Sequence, residues 1–105
     1  MSPEFCTDLT WIEDHIREAL PGARCEVSGS EGMVVQAEGT WPNLAGIRLI
    51  GDGFELGETV LVRYVTGAAK CGFYSKVLAS TPGVMLLESP HQILLTRTRP
   101  LPSSF

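Results

Sequence analysis

The sequence predicts a mainly β domain: a small six-stranded antiparallel barrel with one N-terminal α-helix. Three observations lead there. Eleven glycines and seven prolines among 105 residues imply many turns, which favour short strands over long helices. Apolar residues recur at helical spacing near the N-terminus, whereas short runs bounded by turn residues fill the rest. Closure into a barrel is the economical arrangement for so many short strands, because it removes exposed edges.

The helix comes first. Thr7 or Asp8 can cap its start, with Glu13 and Asp14 near its positive end. Leu9, Ile12, Ile16 and Ala19/Leu20 form its apolar stripe, Trp11 lies beside it, and Pro21-Gly22 ends it. Asp14, Arg17 and Glu18 make the opposite face polar, so the helix reads as a cover for a sheet or barrel end.

Strand segments follow. Cys25–Val27 is short, and the loop Ser28–Gly32 places glycines where positive φ is cheap. Met33–Ala37 comes next, then Trp41-Pro42-Asn43, which interrupts pairing because proline lacks an amide donor. Ile47–Ile50 closes at Gly51-Asp52-Gly53. Thr59–Val65 is the clearest strand, and a turn at 66–70 joins it in a hairpin to Cys71–Leu78. Alternation sets Cys71, Phe73, Ser75 and Val77 against Gly72, Tyr74, Lys76 and Leu78. Val84–Leu87 follows Thr81-Pro82-Gly83, Gln92–Arg97 is the last strand, and 100–105 reads as a flexible tail. The expected organisation is therefore a helix over 1–22 packed on a barrel over 23–99.

Hydrophobic residues make up 44% and charged residues 19% of the chain, a composition too apolar for a disordered chain and sufficient for one modest core. No apolar run approaches the ~20 residues that span a bilayer. The N-terminus has neither the basic start nor the apolar stretch of a signal peptide, so a cytoplasmic protein is expected.

The formal net charge of −4 is unevenly distributed: residues 1–58 hold eleven acidic and three basic side chains, and residues 59–105 hold five basic ones and only Glu88. Such asymmetry steers acidic partners toward one end of a domain, or simply keeps a small domain soluble. It falls short of the dense basic stripe of a nucleic-acid binder. Arg63, Tyr64, Lys70, Phe73, Tyr74 and Lys76 share one hairpin, yet so few charges argue against a base-stacking face. Cys6, Cys25 and Cys71 are odd in number and widely spaced, against a disulfide framework or a zinc knuckle. Neither they nor His15 and His91 fall at metal-ligand spacing.

No nucleophile elbow, HExxH, P-loop or dinucleotide fingerprint occurs, so no enzyme and no cofactor is expected. His15 and His91 read as a helix-boundary side chain and a solvated turn residue. Gly51-Asp52-Gly53 and Gly67–Lys70 lack the following helix that gives a phosphate loop its anion affinity.

Residues 54–97 carry a familiar order: Phe54-Glu55-Leu56-Gly57-Glu58, Val60-Leu61-Val62-Arg63-Tyr64, Gly72-Phe73-Tyr74-Ser75-Lys76-Val77, Leu86-Leu87-Glu88-Ser89-Pro90, and a basic strand end at Arg97. This resembles the PilZ-like N-terminal domain of bacterial cyclic di-GMP signalling proteins, including flagellar-brake regulators. The resemblance covers roughly residues 25–99. It implies a barrel that works by protein–protein contact beside a ligand-binding neighbour. The nucleotide-binding members use an RxxxR stretch and a (D/N)xSxxG strand. Here Arg97-Thr98-Arg99-Pro100 has the wrong spacing and the second motif is absent, so the arginine grip on the nucleotide is incomplete.

The expected function is thus a non-enzymatic protein-interaction module in bacterial signalling. Its expected contact residues are Trp41, Arg63, Tyr64, Lys70 and Tyr74, of the types that dominate contact energies or beside them. The partner is another protein, with a second copy of the chain as a further candidate, and neither nucleic acid nor membrane is expected. Two alternatives stay open. One is a degenerate cyclic di-GMP receptor using Arg97 and Arg99. The other is a Tudor- or SH3-like barrel, which Gly57–Tyr64 also resembles, with Trp41, Tyr64, Phe73 and Tyr74 converging as an aromatic cage.

Overall fold

The computed structural model describes residues 4–40, 46–67 and 69–97. Its elements are β1 (Glu4–Cys6), α1 (Leu9–Ala19), β2 (Arg24–Gly29), β3 (Val34–Gly39), β4 (Ile47–Ile50), β5 (Thr59–Val65), β6 (Ala69–Thr81), β7 (Val84–Leu87) and β8 (Ile93–Arg97). All strand pairs are antiparallel, in the order β1-β8-β6-β5-β2-β3-β4-β7. A further β6–β7 pairing closes β2 to β7 into a six-stranded ring.

One strand makes that closure feasible. β6 is 13 residues long and keeps β5 along one edge, Val65↔Lys70 through Thr59↔Lys76. Its other edge is divided. Ala69–Gly72 pair with β8, and Val77–Thr81 pair with β7 across a register shift between Val77 and Ala79. An extra residue at such a shift bends and twists a strand, which lets β6 belong to both the ring and the flap formed by β8 and β1.

The seven segments with strand character in the sequence are all strands, but the ring takes only six of them. Gln92–Arg97 supplies β8, which lies outside it. β1 is an addition: three residues are too few for alternation to register, and only pairing with Leu95, Leu94 and Ile93 defines it.

Period-two alternation builds the core. Val60, Val62 and Tyr64 of β5 and Cys71, Phe73, Ser75 and Val77 of β6 point inward, joined by Val27, Leu49, Met85 and Leu87. Ser75 is the buried polar residue among them. Its hydroxyl donates to the Glu88 carbonyl at 2.5 Å, so this buried hydroxyl is paired.

α1 contributes to this core with Ile12, Ile16 and, just past its end, Leu20. Asp8 is the cap, its carboxylate accepting from the Thr10 and Trp11 amides at 3.0 and 3.2 Å. Leu9, expected on the buried stripe, is 61% exposed, because the packed stripe starts one turn later at Ile12. Glu13 and Arg17 pair at 2.9 Å on the solvent side, an exposed contact of little energetic consequence. The helix end is clamped through backbone: the Gly22 amide donates to the Gly39 carbonyl and the Gly39 amide to the Ala23 carbonyl, both at 2.9 Å. Among the described residues, no helix is long and apolar enough to cross a membrane.

Candidate protein-contact surface

The alternation that fills the barrel also decides what its outside presents. On β5 the outward positions are Thr59, Leu61, Arg63 and Val65, and on β6 they are Lys70, Gly72, Tyr74, Lys76 and Leu78. Cross-strand register makes Leu61 the neighbour of Tyr74 and Val65 the neighbour of Lys70. The flap extends the same face, with Leu94 opposite Gly72 and Phe5 opposite Leu94.

An apolar strip results. Tyr74 is 71% exposed, Val65 65% and Phe5 64%, with Leu61 and Leu94 half-buried between them. Gly72 lies at its centre, buried. The nearest atoms a Cβ there would meet are the Val62 carbonyl, the Arg63 stem and a Leu61 methyl, at 3.4–3.8 Å. The barrel therefore has room for alanine at this position. What glycine provides is a low floor for the outer face, as where another chain approaches a strand closely.

Positive charge lies within the strip as well as beside it, with Arg63 opposite Gly72 and Lys70 opposite Val65. Lys70, Lys76 and Arg63 face outward from β5 and β6, where no acidic side chain does. Arg63 reaches across to β2, pairing with the Glu26 carboxylate and bonding the Ser28 hydroxyl at 3.3 Å. Neither lysine has an ion-pair partner among the described residues.

Of the sequence-expected contact residues, Arg63, Lys70 and Tyr74 do come together here. Tyr64 does not. It is 3% exposed and points into the barrel, because its even position on β5 follows Val60 and Val62. Trp41 and Arg99 lie outside the described residues. Arg97 ends β8 opposite Ala69. Phe5, Leu61, Val65 and Leu94 were not anticipated as surface residues. The available signal was Thr59–Val65 itself, in which apolar residues occupy both parities.

Tyr64 has an interior role instead. Its hydroxyl and His15 Nε2 share a 2.8 Å hydrogen bond that ties α1 to β5. Trp11 stacks on the His15 ring, with centroids 4.6 Å apart and planes at 12°, and the Tyr64 and Phe73 rings form a T-shaped pair with centroids 6.1 Å apart. Burial, then the neighbouring Cys71 and Cys25 thiols, push the phenol's ionisation far above its usual range. Burial likewise raises Cys71 and pushes the Cys25 thiol up to about 11, so both behave as small apolar core groups. Inward Tyr64 and Phe73 and outward Tyr74 stand on opposite sides of the barrel wall and cannot line one aromatic cage. No group of three or more His, Cys, Asp or Glu among the described residues is arranged to hold a metal ion.

The His15 contact has a pH consequence. Burial lowers its pKa below 6.5, only partly offset by Glu18. The unfolded chain therefore takes up the proton first as pH falls, and stability present above about pH 6.5 declines below it. Denaturant midpoints are expected to drop as pH falls below about 6.5, with a shallower drop in His15→Gln. An unchanged slope in that variant would remove His15 from the account.

Comparison of the chain with protein-family models, curated proteins and solved structures finds no match.

Proposed function

We propose that the protein is a non-enzymatic protein-contact module, with the PilZ-like role in bacterial signalling that its motif order implies and without that family's complete nucleotide grip. The observation that carries this is the clustering of exposed Tyr74, Phe5 and Val65 with half-buried Leu61 and Leu94 on one face of β5, β6, β8 and β1. Single exposed apolar side chains are ordinary, but several on one sheet face, with an aromatic and an arginine among them, are how protein-binding patches are built. The pairing of Arg63 with Glu26 pre-positions a guanidinium on the same face, opposite Gly72.

Calorimetric titration with cyclic di-GMP separates this reading from its runner-up. No binding is expected up to high ligand concentration. Micromolar or tighter binding that vanishes when Arg97 and Arg99 are both changed to alanine would overturn it and make the chain a nucleotide receptor.

A further inference from the structure

The contact face has a chemical preference as well as a location. We infer that its partner presents an extended, acidic segment carrying apolar side chains. The inference rests on the contact-surface reading above and deepens it.

Three features converge. First, the outward positions of β5 and β6 hold Lys70, Arg63 and Lys76 and no acidic side chain, on a protein whose net charge is −4. Glu26 pairs Arg63, so among the described residues the two lysines carry the unpaired positive charge of β5 and β6, and on a net-negative protein they favour encounter with an acidic partner here. Second, Lys70 and Lys76 lie on the same side of one strand with Gly72 and Tyr74 between them. At about 3.3 Å per residue the lysines are roughly 20 Å apart, the span of about six residues of an extended chain. Third, the ground between them is mostly apolar: Tyr74 lies beside Leu61, and the Gly72 floor lies between Leu94 and the Arg63 that Glu26 already pairs. An acidic segment without apolar side chains would leave this strip unused. A purely apolar segment would leave both lysines without ion-pair partners.

Fluorescence anisotropy with three labelled peptides tests this: one alternating glutamate with leucine and phenylalanine, one with serine in place of glutamate, and one with lysine. The acidic peptide is expected to bind about five-fold tighter than the serine peptide, and the lysine peptide weakest. The preference is expected to shrink as salt is raised. A Lys70→Glu, Lys76→Glu variant is expected to lose or invert the order, while Tyr74→Ser weakens the acidic and serine peptides alike. All three positions are exposed, so both variants keep the fold. Equal binding of acidic and serine peptides, with sensitivity to Tyr74→Ser, would overturn the acidic preference and leave the contact surface standing. Binding indifferent to Tyr74→Ser would count against the surface itself. Absence of binding by any peptide at millimolar concentration would overturn the inference.

Discussion

Replacing Phe73 by alanine is expected to cost about 3–5 kcal/mol of folding free energy, while Tyr74→Ala, one residue later, stays within about 0.5 kcal/mol of the parent. Phe73 is 2% exposed inside the barrel, in a T-shaped pair with the Tyr64 ring. Its removal leaves a cavity that the closed ring of strands cannot readily collapse. Tyr74 points the other way and is 71% exposed. Urea denaturation of both variants measures the contrast. A loss of several kcal/mol at Tyr74, or a near-neutral Phe73→Ala, would mean that β6 is placed one residue out of register, since such a slip exchanges every inward and outward side chain. The contact surface would then be inside the protein.

The second large effect is expected at Gly39→Ala. A Cβ at this position would lie 2.1 Å from the Leu20 carbonyl oxygen and 2.9 Å from its carbon. Both are backbone atoms, at the point where the end of α1 is clamped onto β3 through Gly22 and Ala23. Relief requires moving the helix end and withdrawing Leu20, which is fully buried. A cost of about 3 kcal/mol is expected. The sign is the informative part. Where space is open and φ is ordinary, glycine-to-alanine changes stabilise by about 0.4–1 kcal/mol through the unfolded chain, and Gly67, with nothing within 4 Å of its added Cβ, supplies that control. Thermal denaturation of the two variants should show opposite shifts. A stabilised Gly39→Ala would mean that α1 does not sit against the barrel as described.

Much of the fold was legible because it rests on local pattern. The helix declares itself through Ile12, Ile16 and Leu20 at helical spacing after an Asp8 cap, and β5 and β6 through alternation that places Phe73 and Val77 inside. Closure was inferred from turns, alternation and the advantage of removing strand edges, and the ring of β2 to β7 bears it out. What escaped was long-range. The division of β6 between β7 and β8 depends on an irregularity near Leu78 that leaves no mark in the sequence. β1 exists only because β8 is there to receive three residues.

The candidate surface was legible in part for the same reason. Arg63, Lys70 and Tyr74 follow from outward parity on a recognisable hairpin. Tyr64 was placed with them because tyrosine suits either side of a barrel wall; here the interior supplies His15 as a hydrogen-bond partner from a helix 49 residues away in sequence. Phe5 joins the surface only through the flap, so the N-terminal sequence could not announce it.

The most direct test of the contact surface is site-specific photo-crosslinking in the cells that make the protein, with the reactive side chain at position 74 and, separately, at position 36. Gln36 is also exposed but belongs to β3, three strands round the ring from β6. A discrete protein adduct from position 74 and none from position 36 is the expected result. Adducts from both positions alike, or from position 36 alone, would contradict the assignment of this face, and adducts from neither would contradict a protein-contact role.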